Sequence, residues 1–245
     1  MKKPLEYLNN LSKIIEEIKI NQLGAIEECA ETFASTLENG NNIFLFGTGH
    51  SHMLAEELFY RAGGLVNIHP VLETALMLHE SAAQSTQMER LEGYAQILFD
   101  SYSMKSGDAI VIISNSGRNG VCVDMAQIAK EKGLKVITLT NLNHSKSIDS
   151  RHPSGKKLYE FADIVLDNMG CVGDASVYFE EIERKVAPTS TSAGAAILNA
   201  AVAGCIEKML TDGFVPEVFS SSNIDDGDAI NKEYINKYKG KIKSL

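Results

Sequence analysis

Two short polar segments of this sequence carry the residue types that hold an anion. They are Gly47-Thr48-Gly49-His50-Ser51 and Ser114-Asn115-Ser116-Gly117-Arg118-Asn119-Gly120. Glycines allow a backbone to approach a ligand closely, and hydroxyl and amide side chains add hydrogen-bonding groups. Thr48 and Ser51 supply these in the first segment; Ser114, Asn115, Ser116 and Asn119 supply them in the second. Arg118 is the only Lys or Arg in either segment, so neutral N–H and O–H groups would hold the charge. Ser51, Ser116 and Asn119 are also ordinary helix-capping residues. Two loops of the same chemistry, each following an apolar run, favour a bound phosphate over capping alone.

Stepping outward, each loop is framed by a short strand and a helix. Ile43-Phe44-Leu45-Phe46 and Ala109-Ile110-Val111-Ile112-Ile113 are continuous apolar runs, the pattern of strands buried on both faces. The spacing predicts helices from about His52 to Arg61 and from Val121 to Lys132, the second closed by Gly133. Further strands are expected at Leu65–Val71, Val136–Leu139 and Ala162–Leu166, and further helices at Met88–Tyr102 and Ala193–Leu210. Pro4 to Leu37 reads as a long amphipathic helix, with Leu8, Leu11, Ile15 and Ile18 continued by Ile26, Ala30, Phe33 and Leu37 after Gly24. Such a helix packs on its own domain or on a partner subunit. Buried strands alternating with helices imply a parallel sheet covered on both faces, with ligands at the carboxyl ends of the strands.

Familiar phosphate motifs are excluded. Neither loop has the Gly-Lys-Ser/Thr of a Walker loop. His52 stands where the dinucleotide fingerprint needs its third glycine, and Met53 where a hydrolase elbow needs its second. A phosphate on a small molecule remains. Asp225-Asp226-Gly227-Asp228 is not a calcium loop, because Ile224 would fall on a ligand position; a polar turn before a tail helix at Lys232–Tyr238 is expected.

The 245 residues carry 23 Lys+Arg against 32 Asp+Glu, a net charge of −9, which argues against nucleic-acid and anionic-membrane surfaces as partners. With 44% hydrophobic and 22% charged residues the chain has the balance of a folded protein. No apolar run reaches a membrane-spanning length, and Met1–Asn10 lacks the apolar core of a signal peptide. The four cysteines (Cys29, Cys122, Cys171, Cys205) show no CxxC pair and read as buried small residues in a reducing cytoplasm.

Taken as a set, Phe46-Gly47-Thr48-Gly49-His50-Ser51, Ile112-Ile113-Ser114-Asn115-Ser116-Gly117 and Ala129-Lys130-Glu131-Lys132-Gly133-Leu134-Lys135-Val136-Ile137 resemble the sugar isomerase (SIS) domain family, over roughly Asn41 to Gly213. The whole chain is similar to a bacterial group of stand-alone SIS proteins. The resemblance implies a three-layer α/β/α fold of the flavodoxin-like kind with a five-stranded parallel sheet. It divides the chain into an N-terminal helical segment (1–40), a phosphosugar-binding domain (41–213) and a tail with a short helix (214–245). It also implies a phosphorylated sugar as ligand and a homodimer or homotetramer with shared sites. The phosphosugar would be held by Gly47, Thr48, Gly49, Ser51, Ser114, Asn115, Ser116 and Asn119.

Ser51-His52 followed by Ala55-Glu56-Glu57-Leu58 is similar to phosphoheptose isomerases, in which the second Glu of the quartet is an acid/base; carried over, that is Glu57. The family's metal-ligand His is missing here, so no metal and no cofactor are expected. The helix Ala193–Leu210 has no His, only Glu207, so a second acid/base must come from elsewhere. His79 is the chosen candidate beside His50, His52 and His144, with Glu73 and Glu80 bordering the sugar. Thr189-Ser190-Thr191-Ser192 offers further hydroxyls or an N-cap. The expectation is a cytoplasmic aldose–ketose isomerase working through an enediol. The alternatives are a non-catalytic phosphosugar sensor, or ether cleavage or deamination on the same fold.

Overall fold

The computed structural model describes residues 2–221 and 227–245. In chain order the elements are α1 (Lys3–Asn21), α2 (Leu23–Glu38), β1 (Ile43–Gly47), α3 (Met53–Leu58), β2 (Ile68–Val71), α4 (Ala82–Met88), α5 (Tyr94–Ser101), β3 (Ala109–Ile113) and α6 (Gly120–Glu131). There follow β4 (Lys135–Thr140), α7 (Leu142–Lys146), β5 (Ile164–Asp167), β6 (Ala175–Phe179), β7 (Arg184–Pro188), α8 (Ser190–Thr211) and α9 (Gly227–Tyr238). The sheet is parallel and five-stranded, in the order β2-β1-β3-β4-β5.

Alternation along each strand divides the core in two. Ile43 and Leu45 of β1, Val111 and Ile113 of β3, and Ile137 and Leu139 of β4 face a layer built by α2, α3 and α8. Phe44, Phe46, Ile110, Ile112 and Val136 face the opposite layer, built by α5 and α6. The result is the expected three-layer α/β/α arrangement, because strands buried on both faces need helices on both. Among the described residues α8 alone is long and apolar enough to cross a membrane. Here its Ile197, Leu198, Ala201 and Cys205 fill the core against Cys29, Ala30 and Phe33 of α2.

Several boundaries differ from the sequence expectation. The N-terminal segment, expected as one long helix, is two helices that meet at Gln22. There the side-chain oxygen of Gln22 accepts from the Asp167 N–H at 2.9 Å, fastening the joint to the end of β5. The helix expected at Met88–Tyr102 is interrupted by Gly93, whose φ of +77° ends one run and starts α5. The first expected strand-to-helix turn is tighter: a 3-10 turn, Gly49–His52, precedes a two-turn α3. The second strand is shorter, beginning at Ile68 rather than Leu65. The hairpin β6–β7 was not anticipated. α1 holds it by donating from Lys3 Nζ to the Tyr178 carbonyl (2.8 Å), from Tyr7 to that of Pro188 (3.0 Å) and from Asn10 to that of Ser176 (2.9 Å). The tail helix begins earlier than Lys232; Asp225 and Asp226 of the acidic turn lie outside the described residues.

Candidate functional site

The chain leaves β1 toward β2 on one side and β3 toward β4 on the other, so the loops after β1 and β3 lie where the strand order reverses. That is where an open α/β sheet forms a crevice. A cavity of about 360 Å³ opens there. Ser51 from the first loop and Asn115 from the second line it, with Asn168 beyond β5, Asp174, and Ser190 and Thr191 of the first turn of α8. Leu54, Ile113 and Leu139 form its apolar wall. Of the residues singled out in the sequence, His50, Ser51, Asn115, Ser190 and Thr191 line it.

Gly47 brings the first loop close. A Cβ there would lie 2.6 Å from the carbonyl carbon of Ser51, so only glycine permits this turn. Gly49 has φ +56°, a left-handed backbone that the glycine adopts without strain. His52 is buried and its Nδ1 closes on the Gly49 carbonyl, leaving Nε2 3.8 Å from Glu56; His50 is exposed at the cavity edge.

The cavity floor is an amide ladder. Asn168 donates from Nδ2 to Asn115 Oδ1 at 2.8 Å, and its Oδ1 accepts from Asn141 Nδ2 at 3.1 Å and from the Gly170 N–H at 3.0 Å. Asn141 and Asn168 are buried, and the ladder links the ends of β3, β4 and β5. Such a hydrogen-bonded network holds Asn168 in one orientation. Asp174 caps α8: its carboxylate accepts from the Thr189 N–H (3.1 Å), the Ser190 N–H (2.9 Å) and the Ser190 hydroxyl (2.6 Å).

Other expected ligand residues have protein partners. Thr48 donates to one oxygen of Glu89 at 2.9 Å, and Asn119 donates to the other at 2.8 Å, so a carboxylate bridges the two loops. The Ser114 hydroxyl accepts from the Gly117 N–H at 3.1 Å and shapes the turn. Ser116 is part-exposed on the same loop but does not line the cavity. Beneath both loops lies Cys122, whose thiol burial pushes up to about 12; it is a packing residue.

Glu57 projects from α3 toward α8, outside the cavity lining. One oxygen pairs with Arg61 and accepts from Asn199 Nδ2 at 3.1 Å. On α8, therefore, the residue facing Glu57 is an amide. His79 is exposed between β2 and α4 and lies outside the cavity lining. His144 is nearer: its Nδ1 accepts from the Gly173 N–H of the cavity wall at 3.4 Å, and burial with the charge of Arg118 lowers its proton affinity. Among the described residues no group of three or more His, Cys, Asp or Glu is placed to hold a metal ion.

Sequence reasoning missed Glu89, Asn168, Asp174 and Asn199. Asn168 stands two residues beyond an expected strand, a position that could have marked it. The other three look like ordinary surface residues until the fold brings them together.

Comparison with known proteins agrees with this architecture. Residues 6–141 match the family model described as SIS domain. A UPF0309 protein of Listeria innocua is 44% identical over 239 residues, covering 98% of this chain and 97% of the relative. A UPF0309 protein of Halalkalibacterium halodurans is 43% identical over 239 residues, covering 98% and 96%. Among solved structures, a phosphoheptose isomerase from Francisella tularensis superposes with a TM-score of 0.58 at 17% identity, covering 84% of this chain and 97% of that one. The sugar isomerase domain of an RpiR transcription factor from Sphaerobacter thermophilus gives 0.52 at 14%, covering 96% and 99%. At these identities the structural likeness concerns the fold.

Proposed function

Because the chain belongs to the SIS domain family, we propose that it binds a phosphorylated sugar and interconverts its aldose and ketose forms through an enediol. The observation that carries this reading is the single cavity shared by Ser51 after β1 and Asn115 after β3. In the proposal Ser51, Ser116 and the backbone N–H groups of the two glycine-bearing loops hold the phosphate, close to where α6 begins. Gly47 and Gly49 allow the approach, and Ser114 fixes the second turn. Thr48 and Asn119 hold the loops together through Glu89, a supporting part rather than direct contact. Asn115, Asn168, Asp174, Ser190 and Thr191 meet the sugar hydroxyls.

Isomerisation moves a proton between neighbouring carbons, which one carboxylate can do by taking it from one and returning it to the other. Glu57 is assigned that role, with Arg61 and Asn199 orienting it, while the hydroxyl proton passes between the two enediol oxygens through solvent. His79, exposed between β2 and α4, is assigned no step. The exposed Leu5, Leu8 and Ile20 of α1 support assembly into a homodimer or homotetramer that brings further groups to the site.

A second reading, a phosphosugar sensor without turnover, is favoured by one observation: Asn199, which faces Glu57, is an amide and cannot serve as a general acid or base. A thermal-shift panel of hexose, heptose and amino-sugar phosphates, followed by proton NMR of each hit, separates the two. Stabilisation with product formation supports the isomerase, and stabilisation without product supports the sensor. No stabilisation by any phosphosugar overturns both.

A further inference from the structure

Three arginines from separate segments gather at the second loop. Arg118 lies within it, Arg90 follows α4, and Arg151 follows α7. Backbone contacts bring the segments together. The Arg151 N–H donates to the Arg118 carbonyl at 2.9 Å, and the Val121 N–H donates to the Glu89 carbonyl at 3.2 Å. A Cβ on Gly120 would lie 3.7 Å from the Arg90 carbonyl oxygen. From its side chain Arg151 donates Nη1 to Asn119 Oδ1 at 3.3 Å.

Desolvation, and then the charges of Arg118 and Arg90, lower the Arg151 pKa, and Glu89 opposes them. Glu89 already accepts from Thr48 and Asn119. Arg118 is half-buried, and its Nε, shut away from solvent, has no hydrogen-bond partner among the described residues. A desolvated donor on a permanently charged group is costly to leave unpaired. None of the three arginines lines the cavity, but Arg118 belongs to the loop that gives it Asn115. Arg118 stands three residues from Asn115, and its charge reaches His144, whose ring accepts from the Gly173 N–H of the cavity wall.

We propose that Arg118, flanked by Arg90 and Arg151, is a second anion subsite, so that the preferred substrate is a sugar with two acidic groups: its phosphate, and a carboxylate or second phosphate elsewhere on the molecule. The inference rests on the phosphosugar reading of the cavity. A guanidinium fork matches either oxyanion in a paired geometry, which makes the site selective for the added acid and not for a longer neutral sugar.

The test uses the full chain and two matched probe pairs, 6-phosphogluconate against sorbitol 6-phosphate and fructose 1,6-bisphosphate against fructose 6-phosphate, titrated calorimetrically. In the wild type at least one doubly acidic member binds about tenfold or more tightly than its mate, the size expected of a charge-assisted pair. In Arg118→Gln that ratio falls to near one, and Arg118→Lys, which keeps the charge without the fork, is intermediate. A wild-type ratio near one in both pairs, with the single phosphates still binding, overturns the subsite and leaves the cavity reading intact. Failure of all four probes to bind removes both. If Arg118→Gln keeps the ratio but loses its oligomeric assembly in sedimentation, the guanidinium belongs to a subunit contact and the proposal is wrong.

Discussion

Adding one methyl group at Gly47 should damage the candidate site more than the rest of the protein. A Cβ at that position would sit 2.6 Å from the carbonyl carbon of Ser51, 2.7 Å from its oxygen and 2.9 Å from its Cβ. Carbon atoms rest about 3.5–4.0 Å apart, so the turn carrying Ser51 must retreat by about 1 Å. Two of the three clashing atoms are backbone, and no rotamer change relieves them. Overpacking of this kind costs about 1–3 kcal/mol. For a chain of this size that lowers Tm by about 2–12 °C. The displaced hydroxyl should weaken phosphosugar binding by about tenfold to a hundredfold beyond any loss of folded protein, as expected for a group moved by about 1 Å. The control is Gly63→Ala, where φ is +79° and no atom lies within 4 Å. It carries only the left-handed backbone cost of about 1–2 kcal/mol and should bind normally. Thermal unfolding and calorimetric titration with a hit from the phosphosugar panel measure both. If Gly47→Ala binds as tightly as Gly63→Ala, the loop does not place Ser51 on the ligand and the reasoning fails.

Three further substitutions probe the site and its frame. Glu57→Gln preserves the shape of the side chain, so it should bind phosphosugar normally while losing exchange of the C2 proton with D₂O by NMR; exchange at the wild-type rate would place the base elsewhere. Asn168→Ala strands the buried amide of Asn141 and should cost about 1–3 kcal/mol in urea unfolding, whereas a surface-like loss under about 0.5 kcal/mol would mean the ladder contributes nothing. Burial lowers the pKa of His69 to about 4, with its ring against Phe44 and its Nε2 2.7 Å from Asn67 Oδ1. The unfolded chain takes up that proton near pH 6.5 and the folded one only near 4. Stability from this group is therefore complete above pH 6.5 and falls by up to about 3 kcal/mol as the pH drops to 4. His69→Gln should flatten that slope, and identical slopes in the two proteins would refute the assignment.

The strands that bear the loops were legible because each is a continuous apolar run, and the loops because glycine, serine and asparagine cluster directly after them. What lay hidden depended on distant segments. Glu89 reads as one more solvated carboxylate at the start of the helix expected at Met88–Tyr102, and only the docking of α4 beside the second loop aims it at Thr48 and Asn119. Asp174 adopts a left-handed backbone, φ +67°, just after Gly173, an arrangement with no apolar pattern to announce it. The β6–β7 hairpin turns through a short 3-10 segment, Glu180–Ile182, and a left-handed Glu183 rather than through Asn-Gly, so the usual turn signal is missing. The joint at Gln22 is set by a side chain reaching β5, which local helical periodicity does not reveal.

The order of the strands also bears on how the protein comes into being. β1 pairs with β3 only after everything from α3 to α5 has been bridged, and the amide ladder needs residues from the ends of three strands. Distant pairings form slowly, because the entropy of closing the intervening chain is lost before the contacts compensate. The cavity is therefore a late product of folding: helices can form early, but Ser51 and Asn115 become neighbours only once the sheet is assembled. Ligand capture during refolding would accordingly lag behind the helical signal and report completion of the sheet.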